Sequence, residues 1–308
     1  MKLVISIPAF NEEKSIASVI KEIPRDIADE VKVVVIDDGS VDKTMEVAKE
    51  AGADEVISFK HNRGLGSAFR TALETALEMD ADILVNVDAD NQYDPKEIPQ
   101  LIKPIIDEEV DMVLGSRFKG AIEGMSLQKR IGNILATKAT SFASGFHISD
   151  AQTGFRAYSR NAILRLNMTS DYTYVQETII QAAKKGLKIT EIPCTFRRRE
   201  YGDSRLISSM FSYAKNAIAI ILRTYLRYRP LKVFLYVGGF IFLLGFLAGL
   251  RVLVNLMQTG QVGYYPSTIL SAVLLIIGFQ VIILGLLADL IDGNRRIQEE
   301  ILYKLRRR

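Results

Sequence analysis

The feature that most restricts this chain is where its charges are missing. None falls among the 18 residues from Val233 to Leu250, and none among the 37 from Val252 to Ala288. A bilayer core about 30 Å thick needs roughly 20 helical residues. Two membrane helices fit, near 231–254 and 266–288, with Pro266 as a natural start for the second. A buried hairpin of core helices is the alternative, but such helices are seldom so long and so free of charge. Arg223, Arg227, Arg229 and Lys232 precede the pair, and Arg295, Arg296, Lys304 and Arg306 to Arg308 follow it, whereas the connection has no cation. The positive-inside bias places both termini in the cytoplasm, with Tyr264 and Tyr265 at the opposite interface. The expectation is a two-helix anchor in the cell membrane over 231–290 and a basic cytoplasmic tail over 291–308.

The part before the anchor belongs to a different solvent. The chain has 308 residues, 48% of them apolar, enough for a sizeable core in more than one domain. A net charge of +3 gives no reason to expect nucleic acid as a partner. The single cysteine, Cys194, rules out an internal disulfide framework, suits a reducing compartment and reads as a packed small hydrophobe. MKLVISIPAFNEE has no long apolar run with a small-residue cleavage site, so no signal peptide is expected.

Up to about Arg199, strand and helix patterns alternate. LVISIPAF reads as a strand, then a helix over NEEKSIASVIKEI with Asn11 as its N-cap. VKVVVIDD is a second strand, apolar up to its acids as in a sheet covered on both faces. Helix DKTMEVAKEA closes at Gly52, a C′ residue. DEVISF, GSAFRTALETALE, ADILVNVD, PKEIPQLIKPII and DMVLGSRF continue the series. The fold class is α/β, doubly wound on a mostly parallel sheet. The segment SSMFSYAKNAIAIILRTYLRYRP, within 207–230, has apolar residues at helical spacing and arginines at its end. It reads as an interfacial helix leading into the membrane, or else as an ordinary amphipathic helix.

In such sheets ligands collect at the carboxyl ends of the strands, and three strands end in PAFNEE, DDGS and DADNQ. DADNQ can place two carboxylates and an amide oxygen around one hard cation, Mg²⁺ or Mn²⁺, which shares such ligands with substrate phosphates. Its plain alternative is an acidic turn that begins the helix after Pro95. IDDGS is a simple turn, or a site where Asp37 or Asp38 accepts hydrogen bonds from a nucleobase or ribose. HNRGLGSAF has G-x-G without a third glycine and follows the third strand. It is a poor dinucleotide fingerprint, and its glycines fit close backbone approach to a ligand beside Arg63. Arg117 with Lys129 and Arg130, and Arg197 to Arg199 with Arg205, can grip an anionic lipid headgroup or simply be drawn to acidic lipids. His61 and His147 are too isolated for a metal pair or a general base.

PAFNEE, DDGS, DADNQYDP, GSRF, DAQTGFRAY and RxYGxSRL together resemble the family 2 glycosyltransferases of GT-A fold that charge polyprenyl phosphates, such as dolichyl-phosphate mannose and glucose synthases and their undecaprenyl relatives. The resemblance runs through residues 1–206, the catalytic domain it implies, and extends to the membrane tail of some members. It implies that Pro8, Ala9, Phe10, Asn11 and Glu12 line a nucleotide site, with Asp38 on the base and Arg63, Gly64 and Ala89 completing it. Asp88 and Asp90 would form the metal and diphosphate motif, with Gln92 as a further metal ligand. Arg117, Arg130 and Asn133 would handle the lipid phosphate, Lys129 joining them if the register shifts by a residue. Asp150, Thr153 and Gly154 would close over the sugar, and Glu177 would lie beside the reaction centre. Arg199 and Arg205 would contact phosphates, Arg205 standing where relatives often have lysine. The chain has no tryptophan, so the Q-x-x-R-W motif of processive synthases is missing.

The implied partners are a nucleotide sugar, Mg²⁺ or Mn²⁺, a polyprenyl phosphate and the membrane, with room for a homo-oligomer. UDP-glucose or a UDP-N-acetylhexosamine leads over GDP-mannose as donor, because QTGFRAYS and the short tail look more like the glucose-type relatives. The implied reaction is direct displacement with inversion to a β-linked product. Transfer to a diacylglycerol or protein acceptor is a second enzymatic reading. A silent membrane scaffold is a third, opposed by the intact Asp88, Asp90 and Gln92.

Overall fold

The computed structural model describes residues 1–168, 171, 174–199, 230–260 and 265–307, in two compact units. Arg205, the expected interfacial helix up to residue 229 and Tyr264 lie outside the described residues.

Seven strands build the first unit: β1 (Lys2–Ala9), β2 (Glu30–Asp37), β3 (Glu55–Ser58), β4 (Ile83–Asn86), β5 (Met112–Ser116), β6 (Arg156–Ser159) and β7 (Ile189–Pro193). Their order is β3-β2-β1-β4-β6-β5-β7. Pairing is parallel except where β6 runs against both β4 and β5. The alternating residues of β1 feed two cores. Leu3, Ile5 and Ile7 pack with α1 (Ile16–Glu22), α2 (Thr44–Glu50) and α4 (Ile98–Ile106). Val4 faces the opposite layer with α3 (Leu65–Glu78), α6 (Arg160–Arg165) and α7 (Val175–Lys184). Both faces are covered, which is why these strands can be apolar throughout. The chain winds outward from β1 through β2 to β3 and then returns to β4 on the other side of β1. The carboxyl ends of β1 and β4 therefore flank a topological switch point, where a ligand crevice forms.

Two expectations need correction. Asn11 does not cap α1: it has φ +54°, and its Oδ1 accepts the Val41 N–H at 2.9 Å. The helix starts only at Ile16, after Ser15 and Ile16 donate to the Glu12 carbonyl. Gly52, by contrast, follows the α2 cap at φ +98°, as expected of a C′ glycine.

α5 (Leu127–Ser144) is the longest helix among the described residues of this unit, capped by the Ser126 hydroxyl and ended by Gly145 in the left-handed region. The loop after it is held to α7 by Arg156, which is fully buried. Its guanidinium donates to the carbonyls of Thr153 at 2.8 Å, Val175 at 2.7 Å and Ala151 at 2.9 Å, and to the Thr178 hydroxyl at 2.7 Å.

The second unit is a helical hairpin of α8 (Pro230–Thr259) and α9 (Tyr265–Arg306), both long and apolar enough to cross a membrane. A soluble core hairpin would bury its apolar residues; here most stay exposed and only a narrow seam is covered. On α9 the buried residues are Ser271, Gly278, Gly285 and Asp292, one every seventh position. That period keeps one stripe against a partner helix. Any Cβ at Gly278 would lie 2.6 Å from the Phe242 backbone nitrogen, so only glycine permits this approach. Ser271 Oγ donates to the Gly245 carbonyl at 2.8 Å. The residues of the expected basic tail continue α9 as far as Arg306, where Asp292 pairs with Arg295 and Arg296, and Arg295 with Glu299, at three- and four-residue spacing.

Replacing Arg156 by methionine should lower the stability of the protein by about 3 kcal/mol or more, since an abandoned buried acceptor costs about 1–3 kcal/mol. Thermal unfolding in detergent checks this; an unchanged midpoint would show that the cross-brace is dispensable.

Candidate active site

The three loaded strand ends converge at the switch point and are stitched together by side chains that bind backbone. Beyond β1, the Asn11 N–H donates to Ser40 Oγ at 2.8 Å and the Glu12 N–H to Thr44 Oγ1 at 2.8 Å, which fastens PAFNEE to the loop after β2. Asp38 sits at the end of β2, its own N–H on the Ala9 carbonyl. Its two carboxylate oxygens accept the N–H groups of Arg63 at 2.6 Å and Gly64 at 2.9 Å. Asp38 thus shapes the HNRG loop, whatever else it touches. The Arg63 guanidinium lies over the Phe59 ring, 5.0 Å from its centre.

Beyond β4 come Asp88, Ala89 and Asp90. Asp90 Oδ1 accepts the Gln92 N–H at 3.2 Å, an Asx-type turn that Asn91 enters at φ +58°. The helical turn after Pro95 is capped by Asp94, which accepts the Lys96 N–H at 3.0 Å. The plain role considered for this motif is therefore filled by another acid, leaving Asp88 and Asp90 uncommitted to capping. Burial, reinforced by Asp90, pushes the Asp88 carboxyl up to about 7. Asp90 is raised as well, burial outweighing the attraction of Arg199.

Arginines and a glycine loop surround the pair. Arg199 forms an ion pair with Glu12 and lies 3.9 Å from Asp90, joining the β1 and β4 loops. The Arg197 N–H donates to the Gln92 carbonyl at 2.7 Å, so the RRR segment crosses the DADNQ turn. Arg117, buried at the end of β5, is gripped by Asp150 through Nε at 2.7 Å and Nη2 at 2.8 Å. From Asp150 the chain turns to Gly154, where a Cβ would stand 2.3 Å from Asp88 Oδ2. The Gly154 N–H donates to the buried Tyr93 hydroxyl at 3.1 Å. Gln176 Nε2 donates to Gln152 Oε1 at 3.1 Å, leaving Gln152 Nε2 and Gln176 Oε1 as a buried donor and acceptor without partners among the described residues.

The other expected residues lie on two helices. Glu177 lies in the first turn of α7, where it accepts from Gln181 Nε2 at 3.1 Å. Lys129, Arg130 and Asn133 occupy the first half of α5, Asn133 donating weakly to Met125 Sδ at 3.8 Å. Four residues that position the site were not singled out from sequence: Arg156, Tyr93, Glu191 and Glu97. Glu191 accepts the N–H groups of Ser149 and Asp150 and pairs with Lys119 at 3.0 Å. Glu97 accepts the Thr195 N–H and hydroxyl, fixing the segment that leads to the arginines. Burial pushes the Cys194 thiol up to about 12, in keeping with a packed, unreactive side chain.

The donor set suits a hard divalent ion. Two carboxylates share a desolvated corner, Gln92 stands two residues on, and Asn91 Oδ1 is buried without a partner among the described residues. Among those residues no group of three or more His, Cys, Asp or Glu side chains gathers to hold an ion alone. Mg²⁺ and Mn²⁺ bind in this way, through one or two carboxylates completed by water and phosphate.

The seven-stranded mixed sheet with acids at the switch point is that of the GT-A glycosyltransferases. Glucosyl-3-phosphoglycerate synthase from Mycobacterium tuberculosis superposes with a TM-score of 0.57 at 24% identity, covering 72% of this chain and 79% of that one. Residues 4–166 match the model of glycosyl transferase family 2, and residues 229–292 that of the GtrB C-terminal hairpin. UDP-N-acetylglucosamine--dolichyl-phosphate N-acetylglucosaminyltransferase of Methanococcus voltae is 34% identical over 67% of this chain and 90% of its own length. Glycosyltransferase AglJ of Haloferax volcanii is 30% identical over 97% of this chain and 96% of its own. The chain belongs to glycosyl transferase family 2.

Gly154→Ala should leave the fold intact while lowering the rate of glycosyl transfer by about 10²-fold, because displacing Asp88 by an ångström misplaces the reacting groups. Turnover measured beside circular dichroism checks it, and a variant with normal turnover would separate the loop from the chemistry.

Proposed function

We propose that this protein transfers a sugar from a nucleotide sugar to a polyprenyl phosphate at a membrane, with inversion and with the help of a divalent ion. The observation that carries the reading is the desolvated Asp88–Asp90 pair at the switch point, ringed by Arg117, Arg156 and Arg199. Such a site fits a ligand that brings both negative phosphates and the cation between them. UDP-glucose or a UDP-N-acetylhexosamine remains the leading donor over GDP-mannose, and the name of the Methanococcus voltae relative supports both the uridine nucleotide and the lipid phosphate.

Pro8 to Glu12, Asp38, Arg63 and Gly64 would bound the nucleoside, their backbones already fixed by the cross-links between loops. Asp88 and Asp90, with Gln92 alongside, would hold Mg²⁺ or Mn²⁺, which supplies positive charge as the nucleoside diphosphate leaves. The unpaired donor and acceptor of Gln152 and Gln176 match a sugar hydroxyl, which can give one hydrogen bond and accept another. The acceptor phosphate is already ionised near neutrality, so no strong base is demanded of Glu177. Arg117, Arg130, Asn133, Arg199 and Arg205 would hold that phosphate in line with the anomeric carbon. The α8–α9 hairpin would anchor the enzyme in the lipid, and the cations beside both helices favour a cytoplasmic catalytic domain.

Purified protein should convert labelled UDP-sugar and polyprenyl phosphate to a lipid product only when Mg²⁺ or Mn²⁺ is added. Asp90→Ala should lower kcat/KM by about 10³-fold or more, the scale of several kcal/mol lost at the transition state. Product formed without metal, or from diacylglycerol alone, would overturn the assignment.

Titration of Asp88 gives a second prediction. Its ordinary carboxyl value is 3.8, and in the folded protein it is about 7. Between those values the folded state holds a proton that the unfolded state has released, so metal-free stability falls as pH rises through this window and is flat above it. Asp88→Asn should therefore raise the melting temperature at pH 8, by about 2–4 °C for each kcal/mol of relieved repulsion. Scanning calorimetry at pH 5 and 8 tests this; a variant that melts lower at pH 8 would contradict it.

A further inference from the structure

Two neighbouring strands at the middle of the sheet bury polar side chains where apolar ones are the rule. Ser6 of β1 and Asn86 of β4 are both fully buried, and the register sets them side by side. Val4 and Leu84, two residues earlier on the same strands, belong to the apolar core. An amide buried among such residues is costly unless each of its groups finds a partner. Here every group does. Ser6 Oγ donates to Asn86 Oδ1 at 3.0 Å, which fixes the amide with its nitrogen free to donate elsewhere. Asn86 Nδ2 donates to the Gly154 carbonyl at 3.0 Å and to the Tyr174 hydroxyl at 2.8 Å. The Tyr174 hydroxyl donates in turn to the Gly154 carbonyl at 3.3 Å.

All of these bonds lead to one glycine. Its N–H is held as well, by the Tyr93 hydroxyl at 3.1 Å, so side chains from other elements secure both of its backbone groups. The strand register shows why side chains are needed there. β4 and β6 pair antiparallel from Ile83↔Ser159 to Asn86↔Arg156, and two residues further the same ladder would set Asp88 opposite Gly154. The ladder ends before that pair, and Asn86 and Tyr174 hold the glycine where backbone pairing no longer does. Gly154 is the wall against which the carboxylate rests: a Cβ there would stand 2.3 Å from Asp88 Oδ2 and 2.4 Å from Oδ1.

We propose that Asn86 and Tyr174 are positioning residues: through the Gly154 carbonyl they set where the Asp88 carboxylate stands, and so govern how tightly the corner takes a divalent ion. This role rests on the reading of Asp88 and Asp90 as the seat of that ion. Neither side chain touches the substrate; both act through Gly154. Groups one layer behind a metal ligand change metal affinity by about 10–100-fold when they are lost.

Tyr174→Phe removes only the hydroxyl and keeps the ring stacked on Phe69, their centres 4.1 Å apart. Mn²⁺ uptake by the full-length protein in detergent, with excess UDP or GDP, is read from the loss of the free-ion electron paramagnetic resonance signal. Tyr174→Phe should weaken Mn²⁺ binding by about tenfold. Asn86→Leu, of similar size, should do the same, and it decides the matter if Tyr174→Phe does not fold. In Gly154→Ala, where the added Cβ has already displaced Asp88, Tyr174→Phe should cause no further loss. A lowered unfolding midpoint with wild-type Mn²⁺ affinity in both variants, or failure of both to fold, shows that the network serves the fold alone and overturns the proposal. A full tenfold loss on top of Gly154→Ala reveals a route other than this glycine and likewise overturns it. Wild-type protein that takes up no Mn²⁺ with either nucleotide overturns the metal reading and this role with it.

Discussion

Asp88 and Asp90 stand one residue apart in a half-buried corner, and two like charges do not rest easily there unaided. The chain opposes them with arginines, yet divides those arginines among other acids: Arg199 is shared with Glu12, and Arg117 is gripped by Asp150. The attraction that remains is too weak to overcome burial, so both carboxyls stay raised. A fully paired corner would fold more comfortably and would have no electrostatic reason to take up a cation and a diphosphate. On the proposed reading, the frustration of this pair is what a bound cation and diphosphate would relieve.

Holding such a corner open requires loops that do not collapse onto it. Here the loops are secured by carboxylates that spend their lone pairs on backbone N–H groups: Asp38 on the HNRG loop, Glu191 on Ser149 and Asp150, Glu97 on Thr195. Arg156 does the converse, donating to three carbonyls of the loop and of α7. Segments far apart in sequence thus meet the dyad with their backbones already fixed, and Gly154 can press against Asp88 because no side chain intervenes. Preorganisation of this sort lets a site act by position and charge.

The sequence was most legible where one residue type dominates its own surroundings. Apolar runs that stop at acids marked β1, β2 and β4, and charge-free runs marked the hairpin. It was least legible where a residue serves a distant partner. Asn11 looks like a helix cap because Asn caps helices locally, but its side chain is committed to Val41 on a neighbouring loop. Three acids in DADNQYD are equivalent on paper, and only the fold shows that Asp94 does the capping. Arg156 escaped notice because buried arginines are rare, and nothing around position 156 announces carbonyls brought from Thr153 and Val175. Nor does the apolar content of α5 reveal which side faces inward.

That last ambiguity bears on how one chain serves two solvents. In water, a helix earns its place by burying large side chains, and one that turns them outward is penalised for every one. In hydrocarbon, large side chains cost nothing where they are, and contact between helices comes from small residues that let backbones close up. The hairpin follows the second rule, with Ser271, Gly278 and Gly285 inward and leucines out. α5 follows the same rule although it belongs to the catalytic unit, with Gly132, Ala136 and Ala143 inward and Leu127, Ile131 and Leu135 out. A reaction that joins a water-soluble donor to a lipid acceptor needs a surface at ease in both phases.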